Sequence, residues 1–177
     1  GLEGIASAKY FQRLAEFFPK ELPFTSRSRR PPKDAANALL SWTYAIISAE
    51  IDNAIRCAEL DPCIGFLHKL DYGRPSLALD LLEVLRAPLA DRLTLKLLNT
   101  KMLTAENFEI NQQNNGVYLK SDSKKIFFNE YEKYMERLFT IKSQENRINF
   151  RQIITQMVMN ICHVIENKEL KNFFLMP

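Results

Sequence analysis

His68, Asp80 and Glu83 are the residues of this chain whose types and spacing can do chemistry. They fall in the stretch LDPCIGFLHKLDYGRPSLALDLLEVLR, which runs from Leu60 to Arg86. Asp80 and Glu83 stand three apart inside the apolar segment LALDLLEVL, and side chains at that interval share a helix face. An imidazole nitrogen and carboxylate oxygens together make a donor set suited to Mn2+ or Mg2+. Taken singly, each residue has a plainer reading: a histidine satisfied within the core, a carboxylate held in a salt bridge. The group is more informative than its members. Burying two carboxylates on a mostly apolar helix costs several kcal/mol per ion unless opposite charge is supplied. A divalent cation is one compensation, and Arg74, Arg86 or Arg92 is another; spacing leaves the two open.

The elements that must position these residues are mostly helical. The chain has 177 residues, enough for one domain with a real core, and only 5 glycines interrupt its long apolar runs. With 46% hydrophobic and 25% charged residues, it has the balance of a soluble globular protein. No apolar run approaches the roughly 20 residues needed to cross a bilayer, and no signal peptide is visible. Three cysteines without a CxxC pair argue against a disulfide framework or a structural zinc site, and favour a reducing cytosol. A net charge of +3 proves no polyanionic partner, so the distribution of charge matters more.

In chain order, residues 2–18 read as an amphipathic helix ended by Pro19, with Glu3 in its first turn, where a carboxylate complements the helix dipole. The chain starts directly on this element, which reads as a fragment whose earlier domain is missing. Residues 19–33, PKELPFTSRSRRPPK, form a basic connection whose Arg27, Arg29, Arg30 and Lys33 can follow phosphates or merely be solvated. Asp34 is a good N-cap for a long helix over 34–59, in which Asn37 and Tyr44 are polar interruptions. Cys57 and Cys63 read as small buried apolar side chains.

Gly73-Arg74-Pro75-Ser76 supplies a turn and a proline-compatible start for the helix carrying Asp80 and Glu83. A further helix is expected over 91–103. A β-hairpin is expected from Val117–Lys120 paired with Lys125–Phe128 across Ser121-Asp122-Ser123. Helices are expected over 129–139 and 147–166, the second with Cys162 and His163 in the core and with Arg147 and Arg151 one turn apart. The apolar tail 172–177 can pack or dock on a partner subunit.

Four blocks, taken in order, resemble the catalytic part of CRISPR-associated protein 1. They are GLEGIASAKYF, SRRPPKDAANALLSWTYAII, ELDPCIGFLH and GRPSLALDLLEVLRAPLAD, spanning roughly residues 1–95. That family comprises the integrases that insert new spacers into CRISPR arrays. The resemblance implies a mainly α, multi-helix catalytic domain over 1–177 with one small β-hairpin, lacking the family's usual amino-terminal β-domain. Its GxEG-like block places a metal-binding glutamate at Glu3, its GLDPxxGxLH-like block a histidine at His68, and its SLxxDLxE-like block an acidic ligand at Glu83. Asp80 is then the neighbouring carboxylate that orients a ligand or a bound water.

The resemblance further implies a metal-dependent endonuclease and integrase, in which a DNA 3′-hydroxyl attacks a repeat phosphodiester with Mg2+ or Mn2+ as cofactor. Arg27, Arg29, Arg30, Lys33 and Arg74 are the DNA-contacting candidates. The implied partners are double-stranded DNA (protospacer and repeat), CRISPR-associated protein 2 and a second copy of the chain, in the cytoplasm of a prokaryote. The alternative is a non-catalytic helical DNA-binding or scaffolding module. One departure stands out: Glu59 occupies a position where the family commonly has glycine, before Leu60-Asp61-Pro62.

Overall fold

Among the described residues, six α-helices and two short antiparallel strand pairs make a mainly helical fold, as expected. The computed structural model describes residues 1–140 and 147–168, and of Leu2 and Glu3 the backbone alone. The tail 172–177 and its expected packing lie outside the described residues. The chain divides into two compact units: Gly1–Thr43 with Ala90–Tyr131, and Tyr44–Leu89 with Glu132–Pro177.

The first unit opens with α1 (Leu2–Ala15), shorter than the apolar pattern suggested. Phe11, Leu14 and Phe18 are buried, while Ile5, Tyr10 and Phe17 are exposed. Phe24, from the following connection, packs against Phe11 and Phe18. The Tyr10 hydroxyl donates to the carboxylate of the buried Asp91 at 2.5 Å. Residues 16–33 are irregular, as read from their prolines and serines. They are organised by Asn37, which is fully buried near the start of α2 (Ala35–Cys57). Asn37 Oδ1 accepts from the Ser28 N–H at 2.8 Å and from Arg27 at 2.9 Å, and its amide donates to Ser26 O and to Asp34. Asp34 accepts the Asn37 N–H at 2.7 Å, the expected N-cap bond.

The expected hairpin is displaced in sequence. Phe108–Asn111 (β1) pairs with Gly116–Leu119 (β2) around the Gln112–Asn115 turn. Lys125–Phe128 are not a strand but part of α5 (Ser121–Met135). Phe127 and Tyr131, one turn apart, stack with ring centres 5.8 Å apart, and the Trp42 ring meets Phe127 edge-on. This is a helical face, with period near 3.6, and it outweighs the local β-propensity of an Ile-Phe-Phe run. A Cβ on Gly116 would lie 2.8 Å from Pro31, and the Val117 N–H donates to Pro32 O at 2.8 Å, so the hairpin and the basic connection are pinned together. In chain order, α3 (Ser76–Leu85) is followed by a π-helical turn (Arg86–Asp91) and then α4 (Arg92–Asn99). The expected helix over 91–103 therefore ends early, at Asn99.

In the second unit, α2 contributes the buried Ile47, Ile51 and Ile55, and α3 contributes Leu77, Leu81, Leu82 and Leu85. A second strand pair, Phe139–Thr140 (β3) with Arg147–Ile148 (β4), precedes α6 (Phe150–Asn167). The helix expected from Arg147 thus starts three residues later, because Asn149 and Gln152 form a reciprocal capping box there. Tyr134 and Phe139 pack on Phe150. Arg151 pairs with Glu50, Glu132 and Glu136, so its charge is engaged within the chain. Four buried assignments are corrected. Cys57 is exposed because α2 ends there, Cys63 and Cys162 are half-buried, and His163 is exposed beside Asn167 on the outer face of α6. No helix among the described residues is long and apolar enough to cross a membrane.

Candidate functional site

The loop between α2 and α3 presents His68, and its shape follows from how α2 stops. The Leu60 N–H bonds back to Ile55 O and the Glu59 N–H to Arg56 O, with Glu59 in the left-handed region at φ 61. This is a Schellman-type stop, which favours glycine at the left-handed position. Beyond it, Asp61 accepts the Cys63 N–H at 2.9 Å, and Pro62 O accepts the Leu77 N–H at 2.8 Å. The buried Ser76 donates its hydroxyl to Lys69 O at 3.1 Å. Both ends of the loop are thereby fastened to the first turn of α3.

Its centre is fastened to Asp80. The Asp80 carboxylate, with a side chain 5% exposed, accepts the backbone N–H groups of Phe66, Leu67 and His68 at 2.5, 2.9 and 3.1 Å. Its Oδ1 also lies 2.5 Å from His68 Nδ1. Burial opposes the charge on Asp80 more than any other single influence. The bonds from Leu67, the His68 ring, Phe66 and the His68 backbone together outweigh it, holding the carboxyl below its ordinary 3.8. An ionised Asp80 accepts only, so Nδ1 carries the proton and Nε2 is left as the free nitrogen of a 22%-exposed side chain.

The loop's apolar residues Phe66, Leu67, Leu70 and Tyr72 are exposed, so polar bonds rather than apolar burial hold it in place. Gly65 permits the arrangement: a Cβ there would come to 2.7 Å from Asp80 Oδ2 and 2.8 Å from Ser76 Cβ. Residue type and spacing alone do not single out Gly65. The cue was a small residue three before the histidine, between a helix stop and a buried carboxylate.

Glu83, one turn beyond Asp80, is 43% exposed and paired with Arg86 at 2.7 Å. Of the three arginines that could answer these carboxylates, the fold therefore selects Arg86 for Glu83. Tyr44 lies under the Arg86 guanidinium, its ring centre 5.0 Å from Cζ. Glu3 lies in the first turn of α1, and its side chain is outside the described residues. Among the described residues no group of three or more His, Cys, Asp or Glu side chains is gathered that can hold a metal ion. The donor chemistry of His68 and Glu83 nevertheless fits one. The imidazole is oriented from behind by a carboxylate, the usual support of a metal-bound histidine, and the second carboxylate is partly open.

Of the DNA-contacting candidates, Arg27 is half-buried and donates to Ser28 O, Asn37 and Ser41, so its guanidinium serves the fold. Arg29, Arg30 and Lys33 are exposed, and Arg74, in the His68 loop, is half-buried.

The class defined by fold and site is a helical domain with a histidine–carboxylate pair at the mouth of one helix. Comparison with known proteins gives it a family. The family model described as "CRISPR associated protein Cas1" matches residues 1–133. The CRISPR-associated endonuclease Cas1 3 of Thermus thermophilus is 50% identical over 109 residues, covering 62% of this chain and 33% of that protein. Among solved structures, a casposase bound to its integration product superposes with a TM-score of 0.89 at 27% identity, over 100% of this chain and 50% of the other. A chain of a partial Cas6-RT-Cas1–Cas2 complex gives 0.83 at 25% identity, over 99% of this chain and 52% of the other. The chain belongs to the CRISPR-associated Cas1 family, and it spans a third to a half of the length of these relatives.

Proposed function

We propose that this chain is the catalytic helical domain of a CRISPR-adaptation integrase and endonuclease that joins a DNA 3′-hydroxyl to a repeat phosphodiester. One P–O bond forms to the incoming strand as one breaks in the repeat, so no energy cofactor is required. The observation that carries the reading is the Asp80-held His68 imidazole, with Nδ1 committed and Nε2 free. On this reading Glu3, His68 and Glu83 hold Mg2+ or Mn2+. When bound, that ion supplies Lewis-acid polarisation of the target phosphate and stabilises charge on the attacking or leaving oxygen. Asp80 fixes the tautomer and direction of His68 and touches no substrate. Arg29, Arg30, Lys33 and Arg74 bind strand phosphates, which makes affinity salt-dependent; Arg27 supports the 16–33 connection that carries the first three. The sequence relatives named as endonucleases and the casposase structure named for its integration product support this chemistry, and the Cas1–Cas2 assembly supports Cas2 as partner. A paired dimer and a prokaryotic cytoplasmic setting complete the reading.

The test is Mn2+-dependent cleavage and strand transfer on labelled DNA, with the chain compared to His68→Ala. The variant is expected to fall to background while binding DNA normally. Activity unaffected by the substitution removes His68 from the site. Salt-sensitive DNA binding without metal-dependent turnover in the parent chain points instead to a scaffolding module.

A further inference from the structure

The bond between Arg86 and Glu83 has an unusual form for a helix pair. Arg86 Nη1 lies 2.8 Å from Glu83 Oε1 and 2.7 Å from Oε2, so one nitrogen sits between both carboxylate oxygens. That is where a cation sits when a carboxylate binds it through both oxygens. The Arg86 side chain is only 16% exposed. Its guanidinium rests over the Tyr44 ring and is hydrogen-bonded to the Tyr44 side chain. A guanidinium is cationic throughout the working pH range, so Arg86 can answer the Glu83 carboxylate at any working pH. Arg86 is held by Tyr44 as well as by Glu83, so losing Glu83 does not set it loose.

We propose that Arg86 is the built-in counter-ion of Glu83, that a divalent cation reaches Glu83 only by displacing it, and that Arg86 thereby sets the metal affinity of the site. The inference rests on Glu83 being a ligand, as proposed above. Arg86 is a positioning residue on this account: it holds Glu83 in place and gives it up, while Tyr44 keeps the released guanidinium beside the site. An ordinary pair one turn apart would add slightly to helix stability and leave metal binding alone.

The experiment is calorimetric titration of Mn2+ into chelator-stripped parent chain, Arg86→Gln, Arg86→Lys and Glu83→Gln. Arg86→Gln is expected to bind about fivefold more tightly, the scale of one partly exposed ion pair removed from the competition. Arg86→Lys keeps the charge but loses the planar fork and the stacking on Tyr44, and is expected to fall between. Glu83→Gln is expected to bind about tenfold or more weakly. If Glu83→Gln weakens binding while Arg86→Gln leaves it equal or weaker, the counter-ion role is wrong and the ligand assignment survives. If Glu83→Gln binds as the parent does, the ligand assignment fails whatever Arg86 does. Should Arg86→Gln not fold, the Arg86 Nε–H resonance of the parent chain decides the matter. It must move on saturation with diamagnetic Mg2+, and a resonance that stays in place at saturation overturns the proposal.

Discussion

Two irregular segments of this molecule are each organised by one buried polar side chain on a helix, and the two differ in what is left over. The basic connection 16–33 is gathered by Asn37, a neutral amide that both accepts and donates. It absorbs Arg27, one of the charges that seemed available for DNA, and leaves Arg29, Arg30 and Lys33 exposed. The His68 loop is gathered by Asp80, an anion that only accepts, and its donors are three consecutive N–H groups and an imidazole. What remains there is a single oriented nitrogen. An amide with four hydrogen-bonding sites closes a structure on itself, whereas a carboxylate fed by N–H donors can aim one of them outward. Structural and chemical roles thus diverge at the choice between Asn and Asp.

Removing Asp80 gives the largest expected effect. Asp80→Ala leaves the Phe66, Leu67 and His68 N–H groups without their acceptor in a loop that buries little apolar surface, and is expected to destabilise the second unit by about 3–5 kcal/mol. Denaturant titration reads the loss, and hydrogen exchange at residues 66–68 localises it. A pH series sharpens the assignment. Because the folded carboxyl titrates below its ordinary 3.8, the Asp80 contribution is complete above that value and is lost as pH falls through the lower, folded one. Asp80→Ala is therefore expected to lack that part of the acid limb. An unchanged acid limb would mean that Asp80 is not the anion holding the loop.

Asn37→Ala is expected to cost less, about 2–3 kcal/mol, since the groups it orphans are neutral N–H and C=O groups together with an Arg27 that retains Ser28 and Ser41. The comparison predicts a difference in kind as well as size. Titrated well below its melting transition, Asn37→Ala is expected to keep the parent's Mn2+ affinity, whereas Asp80→Ala loses about 10- to 100-fold through the disoriented histidine. Equal loss of metal affinity in both variants would erase the distinction between the two segments.

Much of this was legible in the chain, and unevenly so. Helical periodicity located α2, α3 and α6 because their apolar faces are wide, and the N-cap at Asp34 followed from position and residue type; Asn37 showed only as a polar interruption of α2, and its bonds come from the connection before the helix. The spacing of Asp80 and Glu83 put both on one helix, and the family resemblance gave Asp80 its orienting role. What spacing could not show is which backbone N–H groups come to Asp80, since those bonds depend on the turn after Glu59 and on the room left by Gly65. Nor could it choose among Arg74, Arg86 and Arg92 as counter-charge, a choice made by the π-helical continuation and by Tyr44. The Ile126-Phe127-Phe128 run misled because β-propensity is local, whereas the Trp42 and Tyr131 contacts that make it helical are not.

The smallest effect concerns the departure at Glu59, and it tests whether the His68 loop is pulled into place by Asp80 or pushed there by the helix stop. Glu59 holds the left-handed conformation that the Schellman-type end of α2 demands, at φ 61, without the freedom of glycine. The fold keeps the tight turn and accepts the strain, about 1 kcal/mol for a non-glycine residue there. Glu59→Gly relieves that strain but adds chain entropy to the unfolded state, so the net gain is expected to be small, up to about 0.5–1 kcal/mol in denaturant titration. If Asp80 is the organiser, the substitution leaves hydrogen exchange at residues 66–68 slowed only by that global increment. Selective protection of those amides, beyond the change in global stability, would show that the stop of α2 limits the loop, and the contrast with the Asn37 segment would then need a second organising element.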